Sequence, residues 1–268
     1  MAAAGGAIRR PFSCAPRAQP LPPPGGTRTM AAMATIAIYS LKGGVGKTTL
    51  AVNLAWCAAT LSSRRTLLWD LDPQAASTWL LGGAAPGDQA RAIFTRDVPP
   101  AGRARATAIP RLDLIGADPS LRGLDQLFHD LDKRRRLNKL LAGLHDYQRV
   151  ILDCPPGLTN TAEQVMRAAD LIVVPVIPSP LSERAHHEVV RHLGGKVPVL
   201  AVHAMVDRRR ARHVDALARR PDWPVVPMAS AIEAMTTRRA PVGSYAANSA
   251  AGRSFAMLWQ AIEQRLAG

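Results

Sequence analysis

The chain has 268 residues, 47% of them hydrophobic, which is enough to bury one substantial core without requiring a second domain. Its 34 Lys and Arg against 20 Asp and Glu leave a formal charge of +14, an excess that favours polyanionic partners, nucleic acid before anionic membrane. No uninterrupted run of about 18 apolar residues occurs, so a membrane span is not expected. The three cysteines, Cys14, Cys57 and Cys154, are odd in number and far apart, which argues against a disulfide framework and structural zinc and reads as reduced and intracellular.

Residues 1–34 carry Pro11, Pro16, Pro20, Pro22, Pro23 and Pro24 together with arginines and no acidic residue, so they offer little apolar surface against the entropy of ordering. They read as a disordered Pro/Arg-rich extension. They have neither the amphipathic helix of an organellar transit peptide nor the continuous apolar region of a secretion signal. From residue 35 to 268, strand and helix patterns alternate in what reads as one domain.

Ile36-Ala37-Ile38-Tyr39 predicts a buried strand. It runs into Lys42-Gly43-Gly44-Val45-Gly46-Lys47-Thr48-Thr49 and then into a helix with Leu50, Leu54, Cys57 and Leu61 on one face. A strand, a glycine loop and a helix start in this order make a phosphate site. Glycines let backbone N–H groups close on an anion, and the helix N-terminus adds its dipole and unsatisfied donors. Lys47 supplies a mobile charge for outer phosphates, and the Thr48 hydroxyl is placed to ligate Mg²⁺. The general pattern G-x-x-x-x-G-K-[ST] would put a glycine at position 41, which here is Leu41, and the loop instead carries a second lysine, Lys42, at its entrance.

Thr66-Leu67-Leu68-Trp69 is the next strand, ending in Asp70-Leu71-Asp72-Pro73-Gln74, with two carboxylates where an open α/β sheet places its ligand crevice. Residues 82–110 lack periodicity and read as a surface excursion with one short helix near Gln89–Phe94. Leu112–Ile115 predicts a strand, and a helix from about Leu121 presents Leu121, Leu124, Phe128 and Leu131, with Lys133-Arg134-Arg135-Arg136 on its continuation as a solvated face. Arg149–Leu152 predicts a strand ending at Asp153, the placement by which a carboxylate holds Mg²⁺ through water. Cys154 has no histidine near it in sequence and is a poor nucleophile candidate. Further strands are expected over Asp170–Val176, Val197–Ala204 and Val225–Pro227. Ser230 with Glu233 has capping-box spacing, and Phe255, Leu258, Trp259, Ile262 and Leu266 form a last helical stripe. The pattern predicts a doubly wound α/β sheet of about seven mostly parallel strands with helices on both faces.

Lys42 through Thr49 resembles the deviant Walker A box of the ParA/MinD family of P-loop ATPases, Asp70–Gln74 resembles the family's switch I, and Asp153-Cys154-Pro155-Pro156 the box that opens its switch II, with Gly157 to Thr161 as a mobile loop. The three boxes stand in the family's order, and the likeness covers essentially residues 35–266. It implies an Mg²⁺-dependent ATPase in which Gly43, Gly44, Val45, Gly46, Lys47, Thr48 and Thr49 cradle ATP phosphates, Thr48 and Asp153 hold Mg²⁺, and Asp72 aligns water. Lys42 would reach a phosphate across an ATP-dependent homodimer. The adenine would lie near Met205, Asp207 and Pro227, although an Asn common in the family near position 204 or 205 is replaced here by Ala204 and Met205. Arg208, Arg209, Arg210, Arg212, Arg238 and Arg239 would form a non-specific DNA surface. No base-reading helix-turn-helix precedes the domain, so the likeness is to the short, Soj-type ParA proteins. It implies a cytoplasmic, nucleoid-associated ATPase that segregates DNA or positions a cellular cargo with a separate ParB-like or cargo adaptor. A MinD-like membrane-positioning role is the alternative, and it would need the last helix to bind lipid. The polar face of that helix has Glu263 beside Arg265 and lacks a lysine cluster, so docking on the core is expected.

Overall fold

The computed structural model of the chain describes residues 32–83, 90–95, 98–130 and 135–267. The expected extension at residues 1–34 lies almost wholly outside the described residues, as do Leu131, Lys133 and Arg134 of the predicted basic run. The elements in order are β1 (Ala34–Ile38), α1 (Lys47–Thr60), β2 (Thr66–Asp70), α2 (Ala76–Leu80), α3 (Ala92–Thr95), β3 (Arg105–Ala106), β4 (Leu112–Ile115) and α4 (Leu124–Asp130). They continue with α5 (Arg136–Ala142), β5 (Arg149–Asp153), α6 (Asn160–Ala168), β6 (Leu171–Val176), α7 (Pro180–Leu193), β7 (Val199–Val206) and α8 (Ala211–Arg219). The chain closes with β8 (Val225–Pro227), α9 (Ser230–Arg238), α10 (Gly243–Ala246) and α11 (Ala250–Ala267).

The strands form one eight-stranded sheet in the order β3-β4-β2-β5-β1-β6-β7-β8. Every pairing is parallel except that of β3 with β4. The two-residue period of a strand divides the side chains between two cores. Ile36, Ile38, Leu68, Ile151 and Val173 face α1 and α11, whereas Ala37, Leu67, Trp69, Val150 and Leu152 belong to the core with α4 to α7. Both faces are therefore covered, and β1 and β5 at the centre are buried almost throughout.

Several details depart from the sequence expectation. The sheet has eight strands and not seven, because Arg105–Ala106 adds an antiparallel edge to β4. Part of the aperiodic segment is no surface excursion: Ile93 and Phe94 are buried, and the Phe94 ring lies 5.8 Å from Trp69 and 5.5 Å edge-on from Phe128. Aromatic packing over long sequence separation leaves no local period to read. Arg136 is buried, not part of a solvated face, and Leu61 sits beyond the end of α1 and is exposed. Ser230 is the first helical residue of α9 and not its cap; the cap is Ala229, with no side-chain hydrogen bond.

The last helix docks as expected. Phe255, Leu258, Trp259 and Ile262 are buried in the core shared with α1, and Trp259 Nε1 donates to Ser62 Oγ at 2.7 Å. A bidentate ion pair fastens α11 to the central strand: Arg149 Nε and Nη2 donate to Glu263 at 2.7 and 2.9 Å. The Arg149 side chain is 7% exposed, so removing its partner strands a charge in a low-dielectric setting. Glu263→Ala is expected to lower stability by about 2–4 kcal/mol. Urea unfolding checks this, with an unchanged m-value marking a loss of stability rather than a change in the unfolded chain.

Candidate active site

The phosphate loop, the Asp72 turn and the Asp153 strand end meet at the carboxyl edge of the parallel strands. The loop joins β1 to α1, and Gly44 and Gly46 take φ values of 70° and 93°, left-handed geometry that only glycine adopts without strain. A Cβ built on Gly43 or Gly44 would stand in open space, so the backbone lines an accessible cradle. Gly46 caps α1 without a side-chain hydrogen bond, which leaves the first N–H groups of the helix for an anion. Lys47 is buried, and its Nζ donates to the Lys42 carbonyl at 3.1 Å. Burial lowers the Lys47 pKa, opposed by the nearby Asp153 and Asp72 carboxylates. Lys42 is half-buried, with its backbone N–H donating to Ser40 Oγ at 3.2 Å.

Asp153 ends β5 in register with Asp70 at the end of β2. Its Oδ2 accepts from Ser77 Oγ at 2.6 Å, while its Oδ1 is buried with no hydrogen-bond partner. Burial pushes the Asp153 carboxyl above the usual carboxylate range, opposed by the Ser77 and Thr48 hydroxyls. Asp70 is fully buried; its Oδ2 accepts from Thr78 N at 2.9 Å and Thr78 Oγ1 at 2.8 Å, and its Oδ1 from Asp72 N at 3.1 Å. Burial, and after it the neighbouring Asp153, raises the Asp70 pKa in spite of these donors. Asp72 is half-buried, with its Oδ1 accepting from Gln74 N at 2.9 Å. An orphaned carboxylate oxygen beside a threonine hydroxyl is a hard donor set that suits a Mg²⁺ ion or its water, so these residues fit that group.

A mostly apolar cavity of about 160 Å³ opens beside the loop, between Val45, Gly46, Met205, Val226, Pro227 and Ile232. Its apolar lining suits one face of a planar base. Two of the expected base contacts, Met205 and Pro227, therefore line one cavity with the loop. Asp207 does not line it: its carboxylate is gripped by Arg209 at 2.9 and 3.0 Å, with Arg210 at 3.5 Å. Arg209 holds the Asp207 pKa down at about 2.

The six arginines expected at a DNA surface are all exposed, in two groups at the start of α8 and the end of α9. Arg209 and Arg210 pair with Asp207, Arg238 stacks over Tyr245, and Arg239 donates to the Trp79 carbonyl at 3.0 and 2.7 Å while lying over its indole. Arg208 and Arg212 are exposed beside Arg209 and Arg210 in sequence. Cys57 and Cys154 are buried free thiols, and burial pushes both pKa values up, that of Cys57 to about 12, which removes them as nucleophiles.

Sequence reasoning overlooked Ser77 and Thr78, whose hydroxyls hold the two strand-end carboxylates. The available signal was a Ser-Thr pair seven and eight residues after Asp70, near enough to fold back on its own strand end.

A family model described as AAA domain, AAA_31, matches residues 33–194, more than half of the chain. The chromosome partitioning protein ParA of Caulobacter vibrioides is 36% identical over 147 residues, which are 53% of this chain and 55% of that protein. The chain belongs to the ParA/MinD family. It spans little more than half the length of the curated relatives that it matches. The septum site-determining protein MinD of Pyrococcus horikoshii, solved with Mg-ADP, superposes with a TM-score of 0.74 at 21% identity over 88% of this chain and 98% of that one. A cobyrinic acid a,c-diamide synthase of Mycobacterium smegmatis, solved with ADP and magnesium, gives 0.72 at 24% identity over 88% and 96%. Such likenesses carry the doubly wound fold, and since both proteins share it, the fold alone does not choose between partition-type and other chemistries.

The left-handed Gly46 and its neighbour Met205 yield a test of this ParA/MinD-family loop. A Cβ at Gly46 would stand 3.6 Å from Met205 Cε, a tolerable contact, so backbone strain dominates. Gly46→Ala is expected to destabilise the protein by about 1–2 kcal/mol and to weaken nucleotide binding. Thermal unfolding with and without ADP measures both.

Proposed function

We propose that this protein is an Mg²⁺-dependent ATPase whose ATP state is a homodimer that binds DNA without sequence preference. Hydrolysis returns it to a released monomer, and the cycle segregates DNA or positions a cellular cargo through a separate adaptor. The observation that carries the catalytic half is the buried, unpaired Asp153 Oδ1 beside Thr48, at the mouth of a glycine loop with Lys47. Magnesium, when bound, supplies charge neutralisation at the phosphates.

The residues of the chain account for the rest. Gly43 to Thr49 present N–H groups to phosphate, and Lys47 exchanges the Lys42 carbonyl for a phosphate oxygen. Thr48 and Asp153 hold the cation, Asp153 through water. Asp72, half-buried on a turn, orients the attacking water. The cavity at Met205 and Pro227 takes the base by apolar contact. Lys42 stands at the loop entrance, where its side chain can complete the phosphate site of a second subunit, so that ATP becomes part of the dimer contact.

The DNA half draws on the charge of +14 and on the exposed arginines of α8 and α9. Contacts to phosphate of this kind predict steep salt dependence and little sequence preference. The nucleoid is then the matrix on which the ATP state resides. For the membrane-positioning alternative, the apolar stripe of α11 would have to face lipid, but Phe255, Leu258, Trp259 and Ile262 are buried in the core. No described helix is long and apolar enough to cross a membrane.

Lys42→Ala is expected to keep nucleotide binding by the monomer and to lose ATP-dependent dimerisation. Size-exclusion chromatography with a non-hydrolysable ATP analogue reads the outcome, and an intact dimer would sink the role given to Lys42. For the DNA half, retention on non-specific duplex DNA should require ATP and fall at least ten-fold between about 50 and 200 mM salt. Binding that ignored either variable would refute it.

A further inference from the structure

Ser77 belongs to none of the phosphate or metal boxes, yet its hydroxyl donates at 2.6 Å to the strand-end carboxylate at their centre. Both side chains are buried, Ser77 fully and Asp153 to 99%. The terminal torsion of an aspartate is soft, so the plane of a carboxylate is set by what its oxygens bind. Here one oxygen is fixed by Ser77, while the other makes no hydrogen bond and has the Thr48 hydroxyl nearby. An acceptor left unpaired in the interior is costly unless a donor or cation arrives.

The position of Ser77 is itself firmly set. The turn that follows Asp72 closes with Ala75 N donating to the Asp72 carbonyl at 2.8 Å, and Ala75 takes a left-handed φ of 54°. Trp79 N then donates to the Ala75 carbonyl at 2.9 Å, and Thr78 next in line is anchored on Asp70 through both its N–H and its hydroxyl. Ser77 is thus delivered to Asp153 from the segment that carries Asp72.

We propose that Ser77 is a positioning residue for the divalent cation: by binding Asp153 Oδ2 it orients the carboxylate so that Oδ1 remains available to the cation's water shell, and it ties that carboxylate to the Asp72 turn. The proposal rests on the reading of this site as an Mg²⁺-nucleotide site. A serine that served packing alone would alter stability without changing how the site responds to magnesium. Partners one layer behind a metal ligand typically govern ten- to hundred-fold in metal affinity.

The experiment titrates a fluorescent ADP analogue into the full chain, in EDTA and across a Mg²⁺ series. Ser77→Ala should bind nucleotide in EDTA as the wild type does but need on the order of ten-fold more Mg²⁺ to reach the tight state. Ser77→Cys keeps the buried volume with a weaker donor and should shift in the same direction, which covers the case of a misfolded alanine variant. Ser77→Thr, which keeps the hydroxyl, should retain the wild-type Mg²⁺ midpoint. In an Asp153→Asn background, Ser77→Ala should add no further shift, since the two residues would act as one unit. A wild-type Mg²⁺ midpoint in both the alanine and cysteine variants, or an equal shift in the Asp153→Asn background, would overturn the role of Ser77 while leaving the site reading intact. A wild-type protein whose nucleotide affinity ignored magnesium would overturn the site reading itself, and this inference with it.

Discussion

Two carboxylates end adjacent parallel strands in register, and much of the site follows from burying them side by side. Asp70 and Asp153 face each other across β2 and β5 and are both withdrawn from water. Burial raises the pKa of both; the Asp153 charge raises that of Asp70 further, and the Asp72 charge that of Asp153. The chain answers with donors of different kinds. Asp70 receives two backbone N–H groups and a hydroxyl, which satisfy both of its oxygens; Asp153 takes a close hydrogen bond from Ser77 on Oδ2, has the Thr48 hydroxyl nearby, and makes no hydrogen bond at Oδ1. The asymmetry separates a structural carboxylate from one that can serve a cation.

That constraint explains why so short a helix as α2 sits where it does. Three consecutive residues hold three different parts of the molecule: Ser77 the end of β5, Thr78 the end of β2, and the Trp79 carbonyl the Arg239 guanidinium at the end of α9. Thr78 Oγ1 also accepts from Ala117 N at 2.8 Å, which ties the same point to the segment after β4. A five-residue helix has little intrinsic stability, so its position is dictated by these outside bonds. One turn of helix thus contacts both strand-end carboxylates and an exposed arginine.

The architecture was legible wherever local chemistry repeats. Buried parallel strands are continuous apolar runs, and the glycine loop needs its residues in consecutive order, so β1, β2, β5, β6 and the loop could be read directly. What escaped depends on partners far along the chain. Phe94 has no periodic neighbours, and it is buried only because Trp69 and Phe128 come to it from other elements. Arg136 lies in a run that looks like solvated charge, but the fold takes it inside. The site divides along the same line: Lys47, Thr48 and Asp153 sit at positions that a motif specifies, whereas Ser77 and Thr78 acquire their importance from a turn that brings them back over the strand ends. Asp207 looked like a base contact from its place after β7, and Arg209 two residues on engages it first.

The hydrogen bond between the two loop lysines bears on how the proposed phosphate site would engage its anion. Lys47 Nζ is held by the Lys42 carbonyl, which keeps a buried ammonium partnered while burial works against its charge. An incoming phosphate offers that ammonium a stronger, charge-assisted partner, so the Lys42 carbonyl loses its donor as the anion binds. Its freed carbonyl must then find another donor or turn toward water. In the proposed cycle, nucleotide binding thus acts on the backbone of Lys42 before the second subunit is involved. The residue that reaches across the dimer in that cycle is therefore also the residue whose backbone responds to the nucleotide beneath it.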